Sequence, residues 1–178
     1  MPHTYVYLAG IGNSGPPHWQ RQWHEQHGGP WVEHASWDAP EAGAWMQDLD
    51  LLVLAQTEPV VLVAHSLGAL LAAQWLNRGG KAKAAYLVAL PDAAGASFPA
   101  GASGFVPATT LKVEIPVRMV ASRNDSYCSL EYAFSVSNRW QANFWDVGSK
   151  GHINSESGLG GWPEGWLDLQ KFLKGLPE

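Results

Sequence analysis

Ser66 lies in Ala64-His65-Ser66-Leu67-Gly68, directly after the apolar run Val60-Val61-Leu62-Val63 and directly before an alanine- and leucine-rich stretch. A strand, a tight turn centred on serine and a helix together form the context of a nucleophile elbow. So sharp a turn needs small residues two before and two after the serine. Ala64 and Gly68 meet that need, the first being alanine where glycine is commoner. The turn would lift the hydroxyl to the C-terminal edge of a sheet, beside a helix N-terminus that favours developing negative charge. A serine that only capped the helix would need no further partners. A serine hydroxyl is a poor nucleophile near neutral pH, so a reactive one needs a base, and the base needs an orienting group.

Both are present, in the chain order serine, aspartate, histidine. Asp125 stands in the turn cluster Ser122-Arg123-Asn124-Asp125-Ser126, after the apolar run at 117–121. His152 ends the glycine-rich Gly148-Ser149-Lys150-Gly151-His152, after the run at 143–147. Each therefore follows one of the last two strand candidates. Asp92, after Leu87-Val88-Ala89-Leu90-Pro91, is the main rival for the acid; Asp125 is preferred because it follows the penultimate strand. Asp146 lies inside a strand candidate and reads as structural. His65 precedes the serine, so its side chain should turn away into packing or loop contacts. His18, His24 and His27 lie on or beside one predicted helix. His24 and His27 have the i, i+3 spacing of a ligand pair, but nothing nearby supplies a third ligand, and no metal site is expected.

Acyl transfer places negative charge on a carbonyl oxygen, which preorganised backbone N–H groups stabilise. Leu67, the residue after the nucleophile, should give one donor. The loop after the first strand should give the other, with Ile11 the first choice and Gly12 the second. That loop, Gly10-Ile11-Gly12-Asn13-Ser14-Gly15, also spells the dinucleotide fingerprint G-x-G-x-x-G, with Glu33 at about the distance of a ribose-binding acid. The fingerprint needs its third glycine inside the opening helix, whereas Pro16 and Pro17 follow Gly15 and delay any helix. The oxyanion reading is preferred, and no cofactor is expected.

The elements that must position these groups alternate. Short apolar runs at 4–8, 31–34, 59–63, 84–89, 117–121 and 143–147 are separated by helical patterns. Trp45, Leu49, Leu52 and Val53 mark one helix face; 69–76 is apolar nearly all round; 132–140 and 166–173 are further helix candidates. Alternation of this kind predicts an α/β fold, a Rossmann-like three-layer sandwich on a mostly parallel sheet of about six strands. Residues 90–110 and 148–165, rich in small residues, read as long loops, the first at one edge of the sheet. No repeat or linker divides the chain, so residues 1–178 should form a single domain.

The composition agrees. The 178 residues carry a formal net charge of −5 and no Lys/Arg cluster, which argues against nucleic acid or an anionic membrane as partner and leaves a small-molecule substrate. No apolar run is long enough to span a bilayer, no leader is visible, and the single cysteine, Cys128, suits a reducing compartment, so the expected location is the cytoplasm. Ten tryptophans is a high count for this length. Most should pack helices onto the sheet. Trp19 and Trp162, placed in loops near the reactive groups, are candidates for the substrate pocket, as is Asp92. Oligomeric state is not legible.

With these residues on the page, the chain resembles the small serine hydrolases typified by YdeN and the human retinoblastoma-binding serine hydrolase, over essentially its whole length. The likeness is strongest in Ala64-His65-Ser66-Leu67-Gly68, in Ser122-Arg123-Asn124-Asp125, in Gly151-His152-Ile153-Asn154, and in Ser157-Gly158-Leu159-Gly160 with Trp162-Pro163-Glu164-Gly165. The resemblance implies a compact α/β-hydrolase without a large lid domain, with Ser66, Asp125 and His152 as its triad. Family members usually place proline after the aspartate; here Ser126 follows. Three functions remain to be weighed: a serine hydrolase of a small or medium carboxylic ester or related acyl compound, an interaction protein on a hydrolase scaffold, and a dinucleotide-dependent enzyme.

Overall fold

The computed structural model describes residues 2–177. The elements run β1 (Thr4–Leu8), α1 (Trp19–His27), α2 (Ala42–Leu54), β2 (Val60–His65), α3 (Leu67–Asn77), β3 (Ala84–Val88), β4 (Val117–Ala121), α4 (Leu130–Trp140), β5 (Asn143–Asp146) and α5 (Pro163–Lys174). The strands form one parallel sheet in the order β1-β2-β3-β4-β5. Every residue of β2 and β3 is buried. This is why those strands read as unbroken apolar runs rather than as alternating ones: helices cover both faces of a parallel sheet.

Alternate side chains of each strand enter different cores. Val6, Leu62, Leu87 and Met119 pack with α2, α3 and α4 on one face. Tyr7, Val63, Tyr86 and Val120 pack on the other with Trp19 and Trp23 of α1 and Leu169 and Phe172 of α5. A two-pronged ion pair ties α5 to the sheet: Arg118 of β4 donates to Asp168 through Nη2 at 2.6 Å and Nε at 2.9 Å, and the Tyr86 hydroxyl donates to the same carboxylate at 3.0 Å.

The sheet has five strands where the sequence suggested about six. Residues 31–34 make a single bridge, Trp31 with Tyr7. Preceded by Gly28 and Gly29, the chain here makes only two hydrogen bonds with Tyr7 before leaving, Tyr7 N–H donating to Pro30 O and Val32 N–H to Tyr7 O, and so covers the outer edge of β1 without extending the sheet. The loop from 90 to 110 leaves the central strand β3, not an edge strand. It crosses α2 and α3, where Ala42 N–H donates to Ser103 and the Gln74 side chain bonds the backbone at Gly104 and Val106.

The approach of α3 to β1 leaves no room for a side chain at Gly68. A Cβ at Gly68 would stand 2.3 Å from the carbonyl oxygen of Leu8 and 2.7 Å from that of Ala9. Neither is a flexible group that could yield. Gly68→Ala should therefore lower the free energy of unfolding by about 3 kcal/mol, since backbone must shift to admit the methyl. Urea denaturation measures this, and a loss below about 1 kcal/mol would show that α3 slides freely.

Candidate active site

Ser66 sits between the end of β2 and the start of α3 with φ 56° and ψ −124°. A non-glycine residue in this region costs on the order of 1–3 kcal/mol and persists only where its surroundings hold it. Here the Ser66 N–H donates to Val88 at 2.9 Å, and its carbonyl accepts from Ala69 at 2.9 Å within α3. Gly10 leaves room on the opposite side: a Cβ there would come within 3.1 Å of the Ser66 Cβ.

The tertiary structure brings the three expected groups together. The Nε2 of His152 is 2.7 Å from Ser66 Oγ, and its Nδ1 is 3.0 Å from each carboxylate oxygen of Asp125. The side chain of Asp125 is 2% exposed and that of His152 is 13% exposed. An ionised carboxylate only accepts hydrogen bonds, so Nδ1 must carry the ring proton and Nε2 is left to accept from the serine hydroxyl. The two supporting loops are joined directly. Asn124 Oδ1 accepts from Gly151 N–H at 2.7 Å and from Ser122 Oγ at 3.0 Å, while Ser122 Oγ accepts from Lys150 N–H at 2.9 Å. Beside them Asp146 turns the chain out of β5, accepting from Gly148 N–H at 2.8 Å and pairing with Arg123 at 2.8 Å. Asp125 also accepts from Tyr127 N–H at 2.9 Å, which sets the Tyr127 ring against His152. Asp92 instead accepts from Ala94 N–H at 2.9 Å within its own turn.

The loop after β1 is held with equal care. Gln20, fully buried on α1, donates to the carbonyls of Leu8 and Val63, both at 2.9 Å, and accepts from Ser14 Oγ. Arg21 donates to the carbonyls of Ser14 and Asn13 and stacks on Trp31, 3.6 Å from the ring centre. Trp31 in turn donates to Asn13 Oδ1 at 2.8 Å. These contacts fix Asn13 and Ser14 at positive φ. The Gly12 N–H is directed to Trp37 O at 3.4 Å, so Ile11 is the better placed of the two donor candidates. Gly15 lies outside any helix, and a Cβ there would meet only Pro17, so the loop lacks the close helix–strand packing of a dinucleotide fingerprint. The bonding roles of Gln20, Arg21 and Asn124 escaped the sequence reading because a polar helix face and a polar turn carry no mark of the backbone groups they will meet.

A cleft of about 490 Å³ opens above these groups, lined by Ile11, Gly12, Ser66, Leu67 and His152 together with Pro91, Pro99, Tyr127 and Glu156. Trp19, Trp162 and Asp92 do not line it. Trp19 is the first residue of α1, not a loop residue, and with Trp162 at the start of α5 it is buried in the aromatic core beneath, the two rings 5.1 Å apart. Their indole bulk is satisfied there against Trp23 rather than at the cleft. His65 is buried as well and does turn to a loop contact, described below. The His27 ring stacks on Trp166 and His24 packs against Tyr7 and Trp31. Among the described residues, no group of three possible metal ligands comes together, and no helix is long and apolar enough to cross a membrane.

His18 caps α1, its Nδ1 accepting from Gln20 N–H at 3.1 Å. Burial, then the neighbouring His152 and Arg21, lowers its pKa from the ordinary 6.5 to about 4. Burial likewise holds His65 well below the ordinary value. The unfolded chain protonates these rings near pH 6.5 while the fold resists, so stability is complete above that pH and falls as the pH drops toward 4. His18 alone should cost about 3 kcal/mol over that window. Urea denaturation at pH 7 and pH 4.5 checks this, and His18→Asn, which keeps a capping side chain, should flatten the dependence.

The sequence profile of the serine hydrolase family matches residues 5–171. Among solved structures, the chain is similar to a YdeN-like hydrolase from Pectobacterium atrosepticum, with 27% identity, a TM-score of 0.87 and coverage of 97% of this chain and 91% of that one. It is also similar to the ydeN gene product of B. subtilis, at 17% identity and TM-score 0.74 over 98% and 100% of the two chains. A Pyrococcus furiosus esterase shares the fold at 14% identity and TM-score 0.67, covering 97% of this chain and 80% of the esterase. No curated protein matches. Because the profile spans nearly its whole length, the chain belongs to the serine hydrolase family, on a compact α/β-hydrolase fold.

Proposed function

We propose that the protein is an esterase of small or medium, uncharged carboxylic esters, with Ser66 as nucleophile, His152 as base and Asp125 as the group that orients and steadies the base. The observation that carries this is one imidazole bonded at both ends, Nε2 at 2.7 Å to a serine hydroxyl and Nδ1 at 3.0 Å to a buried carboxylate. Ser66 Oγ attacks the ester carbonyl carbon as its proton passes to His152 Nε2. The N–H groups of Leu67 and Ile11 receive the oxyanion. The tetrahedral adduct then expels the alcohol, which takes the proton from His152. Water, deprotonated by the same ring, hydrolyses the acyl-enzyme to the free acid and regenerates Ser66.

The cleft suggests the substrate. Its volume of about 490 Å³ suits a small ligand, and Ile11, Leu67, Pro91, Pro99 and Tyr127 offer apolar surface. Its lining carries no lysine or arginine and includes Glu156, so an anionic ester would meet like charge without compensation.

Ser66→Ala should abolish both hydrolysis of short-chain p-nitrophenyl esters and labelling by a fluorophosphonate probe. Asp125→Asn should lower kcat on the order of 10³- to 10⁴-fold by leaving the base in the wrong tautomer. Wild-type protein inert to both ester and probe would instead favour an interaction protein on a hydrolase scaffold. A p-nitrophenyl ester with a free carboxylate should be a poorer substrate than its neutral counterpart. Glu156→Gln should narrow that difference by about two- to tenfold at low salt; an unchanged ratio would remove Glu156 from the selectivity.

A further inference from the structure

We infer that His65 and Trp19 are positioning residues, whose ring N–H groups hold the main chain at His152 and Ile153 and thereby hold the imidazole against Ser66. The inference rests on the reading of His152 as the base. His65 Nε2 is 3.0 Å from the carbonyl oxygen of His152, and Trp19 Nε1 is 2.8 Å from that of Ile153. A carbonyl only accepts, so both rings are donors, and the proton of a neutral His65 must sit on Nε2. Two successive carbonyls, one on each side of the Ile153 α-carbon, are thus each bonded by a buried ring from a remote part of the chain.

The segment needs such anchors. Gly151 has φ 57° and Ile153 has φ 50°, the latter a conformation a β-branched residue rarely takes. Gly151 takes its conformation without strain, but a β-branched residue held at positive φ directly after the base does not keep its shape by local preference. The Ile153 side chain, fully buried in the aromatic core, adds a third hold.

His65 is also bonded covalently to Ser66. The end of one buried strand therefore sets the nucleophile and, through a single hydrogen bond, the backbone of its base. Errors in loop placement that would change the Nε2–Oγ distance are suppressed at their source. The ring packs against those of both His18 and His152, with centres 4.6 Å and 5.0 Å away. Its burial keeps it neutral, so it does not oppose the cation that forms on His152 during turnover.

The test compares His65→Phe, which keeps a ring without the donor, with His65→Gln, whose amide nitrogen falls near the place of Nε2. Three measurements are made: ester kinetics (kcat and KM) on a p-nitrophenyl ester, the rate of fluorophosphonate labelling, and the downfield proton resonance of the His152 Nδ1–H bond to Asp125. In His65→Phe, folded by circular dichroism, kcat and labelling should fall about 10- to 100-fold with KM within about twofold, because small misplacement of a reacting group costs rate rather than binding. The resonance should be lost. His65→Gln should recover most of all three. A folded His65→Phe with wild-type kcat and resonance overturns the proposal, as does a His65→Gln protein equally impaired, which would make ring packing the cause. If His65→Phe does not fold, Trp19→Phe decides: the same loss supports the proposal and wild-type values overturn it. If the wild-type protein proves inert to ester and probe, the esterase reading fails by itself, and the resonance alone still shows whether His65 positions His152.

Discussion

The 2.7 Å contact between His152 Nε2 and Ser66 Oγ joins residues separated by 86 positions, and much of the remaining architecture serves to keep that distance. A hydrogen bond of this kind tolerates only a few tenths of an ångström before proton transfer weakens. Neither partner stands on a regular element. Ser66 occupies the turn between a strand and a helix, and His152 occupies a loop beyond the last strand. Rigidity has to be supplied by what surrounds them.

It is supplied from three directions. The serine is fixed by buried strands on either side, through its bond to Val88 and the close passage of Gly10 and Gly68 against their neighbours. The acid and base loops are joined to each other by Ser122 and Asn124, so Asp125 and His152 move as one unit if they move at all. The loop after β1 is tied to β1 and β2 through Gln20 and to the edge segment through Arg21 and Trp31. Apart from the exposed Asn124, each tie uses a buried or half-buried polar group with its partner in place, the circumstance in which such bonds specify a single geometry.

Backbone strain gathers in the same region. Ser66, Ala89 and Ile153 all hold positive φ: the first two directly follow the ends of β2 and β3, and the third directly follows His152. Two large apolar cores lie directly beneath, one of them dominated by stacked indoles, and their burial offsets local strain of this size. The tryptophans thus matter to the site without touching the cleft: Trp19 and Trp162 form the floor on which the loop bearing the imidazole rests.

Periodicity and local context were enough to recover much of this from the sequence. Continuous apolar runs alternating with helical stripes specify a parallel, two-sided sheet, and a small-x-Ser-x-Gly turn between strand and helix singles out Ser66, because both patterns express short-range sterics. Position after the last two strands singles out Asp125 and His152, because crossover topology puts those loops on one rim. What depended on tertiary structure was everything that long-range packing selects. The run at 31–34 has strand-like residues, yet it bonds only one residue of β1. Trp19 and Trp162 looked like pocket residues but are core, since burial of an indole is decided by what else arrives at that face. Gln20 and His65 are polar letters whose roles exist only because carbonyls from distant segments come to rest beside them, and no local spacing encodes that meeting.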